Sequence, residues 1–569
     1  MNPTQHNLDN HAKAIHPDNN ISNDPNINLT NFLNRKETQA LVVHNNSQAK
    51  YGITDHEIPT HGLRCSFFGA ARTVTGSLYH LEYMGGDGKV FRFIVDAGMF
   101  QVGSRANLYR VNSFLGFDPK KVDCLVLTHA HLDHCGRIPY LVKMGFRGEI
   151  YSTPATREIA EVVMSDAARM REDNGHAPDE YLDMEFFQKQ QYKAKFDGND
   201  NTHEKPQLEA IRENLDKGEG FLKLYSTADV AQTASQFKTY KYHRPFKIHE
   251  DLEVEFFDAG HILGSSYVKI TNLVTKKVIV FSGDLGNIDK PIIEDPEMLE
   301  KIENLTHVFT ETTYGDTIHG QKHPKEKLYE ACNDTLVAGN KVFIPSFSVE
   351  RAQEIIYFLY ELMEEKKLPY VPVYLDSPMA NAVVDIVLNH EELYDREMEE
   401  KINSNNNPFT WKNLQVLETG DDSKTLNHRQ GPCIVIAGSG MMTGGRIMKH
   451  MKFNISNPKH MLVFCGYQAE GTMGRDITDG AREVEIDGIP LEVNIQQSMI
   501  REFSAHADQL TLLKWLDAMT IKTGSPRTHL FLMHGETKAV LAYEKLVNES
   551  LPNIDCVWPK FAETIDMWK

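Results

Sequence analysis

The segment LTHAHLDHCG, residues 127–136, places three histidines and an aspartate within the six positions from His129 to His134. It follows VDCLVL, an apolar run of the kind that forms a buried strand. His129 and His131 are separated by one residue. Alternate side chains of an extended segment point the same way, so both imidazoles can reach one ion. Asp133 and His134 fall where the chain turns into a helix and can reach a second ion nearby. A tetrahedral ion takes about four ligands, and one short loop cannot surround two ions. Further donors must therefore arrive from distant strand ends. A rigid sheet carrying polar residues where its strands stop is the architecture that can deliver them.

Three later segments have the required form. His261 ends FFDAGH, Asp284 ends VIVFSGD and His534 ends HLFLMH, each after an apolar β-rich run. A carboxylate at Asp284 could bridge both ions. Taken singly, each is a satisfied structural residue in most chains. Taken together after the same kind of run, they read as metal ligands. Nitrogen and oxygen donors without thiolate suit Zn²⁺, ahead of Mn²⁺ or Fe²⁺.

The 569 residues divide by texture. Residues 1–60 are polar and Asn-rich and are expected to be a disordered or loosely packed extension. From Leu63 short β-rich runs begin, and residues 61–315 are expected to form the first part of the domain that holds the histidines. Within it, the polar stretch 173–219 is unusually long, and KTYKYHRPFK (238–247) reads as a strand with a solvated basic face. Residues 316–492 alternate strands such as KVFIPSF with amphipathic helices, which implies a second, parallel α/β domain. Residues 493–569 return to histidine-bearing segments and complete the first domain.

Sixty basic against 79 acidic side chains give a formal charge of −19, which argues against a whole surface that grips nucleic acid but leaves room for a local positive cleft. Seven scattered cysteines form no C-x-x-C pair, so reduced thiols and a cytoplasmic location are expected. No long apolar run is present, so no membrane partner is expected.

The combined pattern resembles the metallo-β-lactamase superfamily. VDAG, with Asp96, resembles its first motif; His129, His131, Asp133 and His134 match the second, His261 the third and Asp284 the fourth. The chain also resembles the β-CASP branch, whose members process nucleic acids. FTETTYGD carries Glu311 at its first added motif, FSAHAD carries His506 at the second and LMHGE carries His534 at the third. The resemblance runs from about Arg64 to about Lys545. It implies an α/β fold: a metallo-β-lactamase αββα sandwich with an inserted α/β β-CASP domain. RNA-acting members have histidine at the third added motif, so His534 points to RNA. The resemblance places the chain among short relatives of the nuclease subunit of the eukaryotic cleavage and polyadenylation machinery. RNA-processing proteins or a second copy of the chain are the candidate partners.

The resemblance further implies that His129, His131 and His261 hold one Zn²⁺, that Asp133, His134 and His534 hold another, and that Asp284 bridges them. Two such ions, about 3.5–4 Å apart, activate water and clamp the attacking and leaving oxygens of a phosphodiester in line. The products would be a 5′-phosphate and a 3′-hydroxyl. His506 is then the candidate general acid, Glu311 its orienting partner and Asp96 a support for a ligand histidine. In the inserted domain, Ser346, Ser348 and Arg351 of PSFSVERAQE are candidate RNA contacts. So are Gly438, Ser439, Gly440, Gly444, Gly445 and Arg446 of GSGMMTGGR, whose glycines could let backbone amides approach a phosphate. Two other readings compete: a small-molecule hydrolase on the same fold, and a non-catalytic RNA-binding scaffold. Neither explains why every ligand position and His506 coexist with the insertion.

Overall fold

The structure is a computed structural model and describes residues 58–101, 105–173, 224–320, 322–466, 468, 471–520 and 527–568. The expected N-terminal extension, up to residue 57, lies outside the described residues, as does the polar stretch from 174 to 219.

Two seven-stranded sheets face each other. Residues 63–67, 79–84, 90–95, 124–126, 149–152 and 237–239 form the first, closed at its edge by the C-terminal strand Thr564–Trp568 against Leu63–Phe67. The second runs in the order 554–557, 528–533, 305–311, 278–281, 266–272, 252–258 and 246–249. Inward-facing aromatics from both sheets interlock. Phe67 lies 5.3 Å from Phe531, Tyr79 5.5 Å from Phe281, and Tyr79 5.4 Å from Phe309, as ring centroids. Each such pair adds about 0.5–1.5 kcal/mol beyond its burial.

Helices cover both outer faces. Ile138–Lys143, Pro154–Asp173 and Thr227–Ala234 pack on the first sheet through Leu141, Ile159 and Val230. Gln509–Met519 and Thr537–Ser550 pack on the second through Leu512, Trp515, Val540 and Tyr543. The layering is αββα, with an additional domain inserted between two strands. Leu305–Glu311 and Thr528–Met533 are parallel neighbours in the second sheet, yet a third sheet intervenes between them in sequence.

That third sheet has six strands, all parallel, in the order 414–416, 373–376, 433–437, 341–345, 461–465 and 496–500. Both faces carry helices, which is why its strands read as continuous apolar runs such as CIVIA and MLVFC rather than alternating ones. The expected boundary at residue 492 needs correction. Gln496–Ile500 pairs with Met461–Cys465, so the inserted sheet ends after Ile500. QQSMI is too polar to stand out as a strand because it is an edge strand with two exposed residues.

All seven cysteines are free thiols, six of them buried. Among the described residues no helix is long and apolar enough to cross a membrane.

Candidate metal centre

His129 and His131 follow the strand Cys124–Val126, and His131 caps the short helix Leu132–Cys135 that carries Asp133 and His134. Asp96 follows the neighbouring strand Val90–Val95, His261 the strand Leu252–Asp258, and Asp284 the strand Val278–Phe281. Glu311 ends Leu305–Glu311, and His534 follows Thr528–Met533. Seven of these nine residues thus sit at or beyond strand ends that share one rim of the sandwich.

Glycines make the approach possible at two points. A Cβ on Gly98 would lie 1.5 Å from the Asp133 carbonyl oxygen, so only glycine lets the two loops touch. Gly283 holds φ +55 immediately before Asp284. Asp96 and His534 themselves adopt φ 55 and 49, conformations that cost free energy and concentrate at functional sites.

The seven candidate ligand side chains converge into two groups. In one, the Nδ1 of His131 lies 3.2 Å from Nε2 of His129 and 3.0 Å from Nε2 of His261. Asp284 Oδ2 lies 3.4 Å from His129 Nε2 and 3.6 Å from His261 Nε2. In the other, His534 Nε2 lies 3.3 Å from Asp133 Oδ2. Asp284 Oδ1 stands 3.3 Å from His134 Nε2 and 3.8 Å from His534 Nε2. Asp284 therefore presents one oxygen to each group.

Hydrogen bonding accounts for only part of this ring of imidazole nitrogens, because four of the five histidines commit their ring proton elsewhere and His131 alone is left to donate within it. The Thr128 hydroxyl donates to Asp96 Oδ2 at 2.8 Å and so accepts from His129 Nδ1 at 3.1 Å. His261 Nδ1 donates to the Ala505 carbonyl at 3.2 Å. His134 Nδ1 donates to Asp96 Oδ2 at 2.8 Å. The Thr313 hydroxyl donates to the His534 carbonyl and accepts from His534 Nδ1, both at 3.1 Å. Each arrangement leaves a lone pair aimed inward. Zinc–nitrogen bonds of about 2.0–2.1 Å give tetrahedral ligand separations of about 3.3 Å, and the first group spans 3.0 to 3.6 Å. Asp284 Oδ1 is also buried with no hydrogen-bond partner among the described residues. The donors fit divalent cations.

Electrostatics agrees for the first group, while at His134 a cation would have to displace a proton. Burial pushes the imidazolium forms of His129, His131 and His261 down, His131 to about 3, so their lone pairs are not held by protons near neutral pH. Burial also opposes charge on His134, but Asp284 and Asp96 outweigh it and hold it well above the ordinary value.

His506 lies over this centre, its ring 4.7 Å from that of His261 and 5.9 Å from that of His534. Its Nδ1 faces both Glu311 oxygens at 3.1 and 2.9 Å. Glu311 is fixed in turn by the Leu285 amide, 2.7 Å from Oε1. Burial lowers the His506 pKa, yet the Glu311 carboxylate raises it further, to about 9.

The inserted-domain candidates behave differently. The strands Lys341–Pro345, Val373–Asp376 and Cys433–Ala437 end side by side and bring Ser346, Ser348 and Gly438 together; the Ser348 hydroxyl is 3.0 Å from that of Ser377. Gly440 supports the Phe347 ring, Ser439 lies 3.2 Å from the Thr443 hydroxyl, and Gly444 and Gly445 open the helix Gly445–Asn454. The arginines require correction as phosphate contacts. Arg351 is buried and paired with Glu354. Arg446 pairs with Asp376 and donates to the Leu417 and Glu418 carbonyls at 3.2 and 2.9 Å. Their charge is used inside the domain, leaving amides and hydroxyls at this surface.

Sequence reasoning missed the residues that fix tautomers, Thr128 and Thr313. Their one signal is adjacency to the ligand motif and to Glu311. It also missed Lys290, whose ammonium bonds the His261 carbonyl at 2.6 Å.

Comparison with known proteins matches this geometry. A model described as the metallo-beta-lactamase superfamily matches residues 82–181, one described as the Beta-Casp domain matches 352–477, and one described as the Zn-dependent metallo-hydrolase RNA specificity domain matches 490–559. A ribonuclease of Thermus thermophilus is 36% identical over 481 residues, which cover 84% of this chain and 95% of that protein. Transcription termination factor FttA of Methanosarcina mazei is 29% identical, over 82% of this chain and 68% of its own. An RNase J-like protein of Methanocaldococcus jannaschii is 26% identical, over 76% and 86%. With its αββα sandwich, inserted parallel sheet and rim of histidines, the chain belongs to the metallo-β-lactamase superfamily, in its β-CASP branch.

Proposed function

We propose that the protein is a metal-dependent ribonuclease that hydrolyses RNA phosphodiester bonds at this centre, leaving 5′-phosphate and 3′-hydroxyl ends. The observation that carries the reading is the pair of donor groups sharing Asp284, with the His506–Glu311 pair beside them. The donor set favours two Zn²⁺. Such a cation pair supplies charge stabilisation at the phosphoryl group and an activated water.

The chain's own residues do the rest. Asp133 and Asp284 orient their oxygens toward the two groups. His506 holds its Nδ1 proton against Glu311, which leaves Nε2 on the opposite edge of the ring for the substrate. Attack of water forms a new P–O bond while the P–O3′ bond breaks; the water gives up a proton to solvent, His506 delivers one to O3′, and His506 regains its proton from solvent before the next turnover. A group with a pKa near 9 is protonated at neutral pH and available as the acid. Support for RNA as substrate comes from the ribonuclease relative and from the matched RNA specificity region, residues 490–559, which carries both His506 and His534.

Incubating linear and circular RNA with the enzyme, with and without a chelator, tests the reading. Chelator-sensitive cleavage that zinc restores, with 5′-phosphate ends, is expected, and cutting of the circle would establish internal cleavage. Turnover of a thioester or lactam with both RNAs intact would contradict it.

A further inference from the structure

We propose that Lys290 is a positioning residue that, through Glu350, ties the His261 segment to the inserted sheet. The Lys290 ammonium donates to the His261 carbonyl at 2.6 Å and to the Gly260 carbonyl at 3.4 Å. The same ammonium forms an ion pair with Glu350, which belongs to the inserted domain and directly precedes the helix Arg351–Glu364. Both side chains are under a tenth exposed.

Two features of Glu350 are hard to explain by stability alone. Its φ is +65, a backbone conformation that suits glycine. Its carboxylate makes no cap bond to the helix it precedes, and its charge is compensated by the Lys290 ammonium in contact with it. Buried ion pairs are in general replaceable by apolar side chains without loss of stability. A strained residue holding a buried charge in place is better explained by what the pair aligns.

What it aligns is a ligand. His261 is held on its backbone side by Lys290 and hence by the loop after the first strand of the inserted sheet. On its ring side it is held by Ala505, in the segment that follows the last strand of that sheet, Gln496–Ile500. His261 is therefore gripped by chain from both sides of the insertion. A displacement of the inserted domain moves the anchors of a metal ligand, so the surface that holds substrate and the centre that cuts it stay in register. Glu354, itself paired with Arg351, and the carboxylates of Asp258 and Asp295 also act on the Lys290 charge, but the ion pair in contact is with Glu350.

The turnover part of this inference rests on the ribonuclease reading; the metal part does not. The test compares wild type, Lys290→Met, Glu350→Gln and the double variant Lys290→Met/Glu350→Gln, with Glu350→Asp as a charge-retaining control. Three quantities are read: the thermal midpoint of cation-free protein, the affinity and visible spectrum of bound cobalt(II), and kcat and KM on a linear RNA. Each single variant leaves one buried charge unpaired, so its midpoint falls, and the double variant recovers most of the loss. If Lys290 positions His261, the double variant still binds cobalt about tenfold more weakly with an altered spectrum, and its kcat stays about tenfold low at nearly unchanged KM. Glu350→Asp, whose clasp is one methylene shorter, keeps its midpoint and loses several-fold in kcat. Recovery of cobalt affinity and kcat together with the midpoint in the double variant, or wild-type kcat in Glu350→Asp, overturns the proposal. A wild-type protein inert toward RNA defeats the ribonuclease reading instead, and the cobalt measurements still decide the role of Lys290.

Discussion

The metal centre and the glycine-rich surface of the inserted sheet are both built at strand ends, yet their polar side chains are committed differently. At the metal centre four of the five imidazoles direct one nitrogen to a protein partner and the other into a shared space, and Asp284 keeps an oxygen there without a hydrogen bond among the described residues. On the inserted sheet the charges close on themselves: Arg446 with Asp376, His450 with the same carboxylate at 2.7 Å, Arg351 with Glu354. The first region holds valence in reserve for something absent from the chain. The second uses its charge for its own architecture and offers a ligand only amides and hydroxyls. Polar residues at strand ends mark both; unsatisfied inward-facing donors distinguish the one where chemistry is expected.

Substitutions that attack the reserve should have the largest effects. Asp284→Ala removes the oxygens facing both groups and is expected to lower kcat by about 10⁴-fold or more, since several kcal/mol of charge stabilisation is lost. Single-turnover cleavage of a labelled RNA measures it. His506→Ala should cost about 10³-fold, within the range of about 10²–10⁴ for a general acid, with metal content unchanged. Metal loss in that variant would show that His506 supports the ligands instead.

The acid can also be probed without removing it. A general acid works while protonated, so the rate should fall as pH rises through the His506 pKa, about 9. Bound cations act in the same direction as burial and place that limb at or below this value. Glu311→Gln removes what raises the pKa, so the alkaline limb of the kcat profile should move to lower pH. An unmoved limb assigns the acid elsewhere.

Asp96→Asn alters the partner of His134 and Thr128 and leaves every ligand in place. It should weaken metal affinity about 10–100-fold, as read by competition with a chelator. The smallest effect on RNA belongs to the second region. Arg446→Ala should destabilise the protein by about 1–3 kcal/mol, because the buried Asp376 loses a partner. It should change RNA affinity by about twofold or less. A large affinity loss at unchanged thermal midpoint would mean that Arg446 turns outward to phosphate, and the contrast between the two regions would fail.

The same contrast explains what was legible in the sequence. Ligand positions could be read because imidazole and carboxylate are demanding residue types and each follows an apolar run that announces a strand. The runs announced strands and a parallel second domain, whereas the αββα layering was implied only by the family resemblance. Thr128, Thr313 and Lys290 could not be read, since hydroxyls and lysines are common and their roles depend on partners that only folding supplies. Lys290 meets a carbonyl 29 residues away, and Thr313 meets a histidine 221 residues away. The arginines misled for a related reason. Whether a guanidinium faces a ligand or an internal carboxylate such as Asp376 is a matter of tertiary placement. The edge strand Gln496–Ile500 was missed because exposed edges tolerate polar residues.

The proposal at stake is that distant strand ends bring together donors for two cations, with one Asp284 oxygen facing each donor group. Elemental analysis of purified wild-type protein and Asp284→Ala tests it most directly. About two equivalents of divalent cation are expected in the wild type and fewer than one in the variant. A wild type that cleaves RNA without bound cation, or an Asp284→Ala variant that retains both, would contradict it.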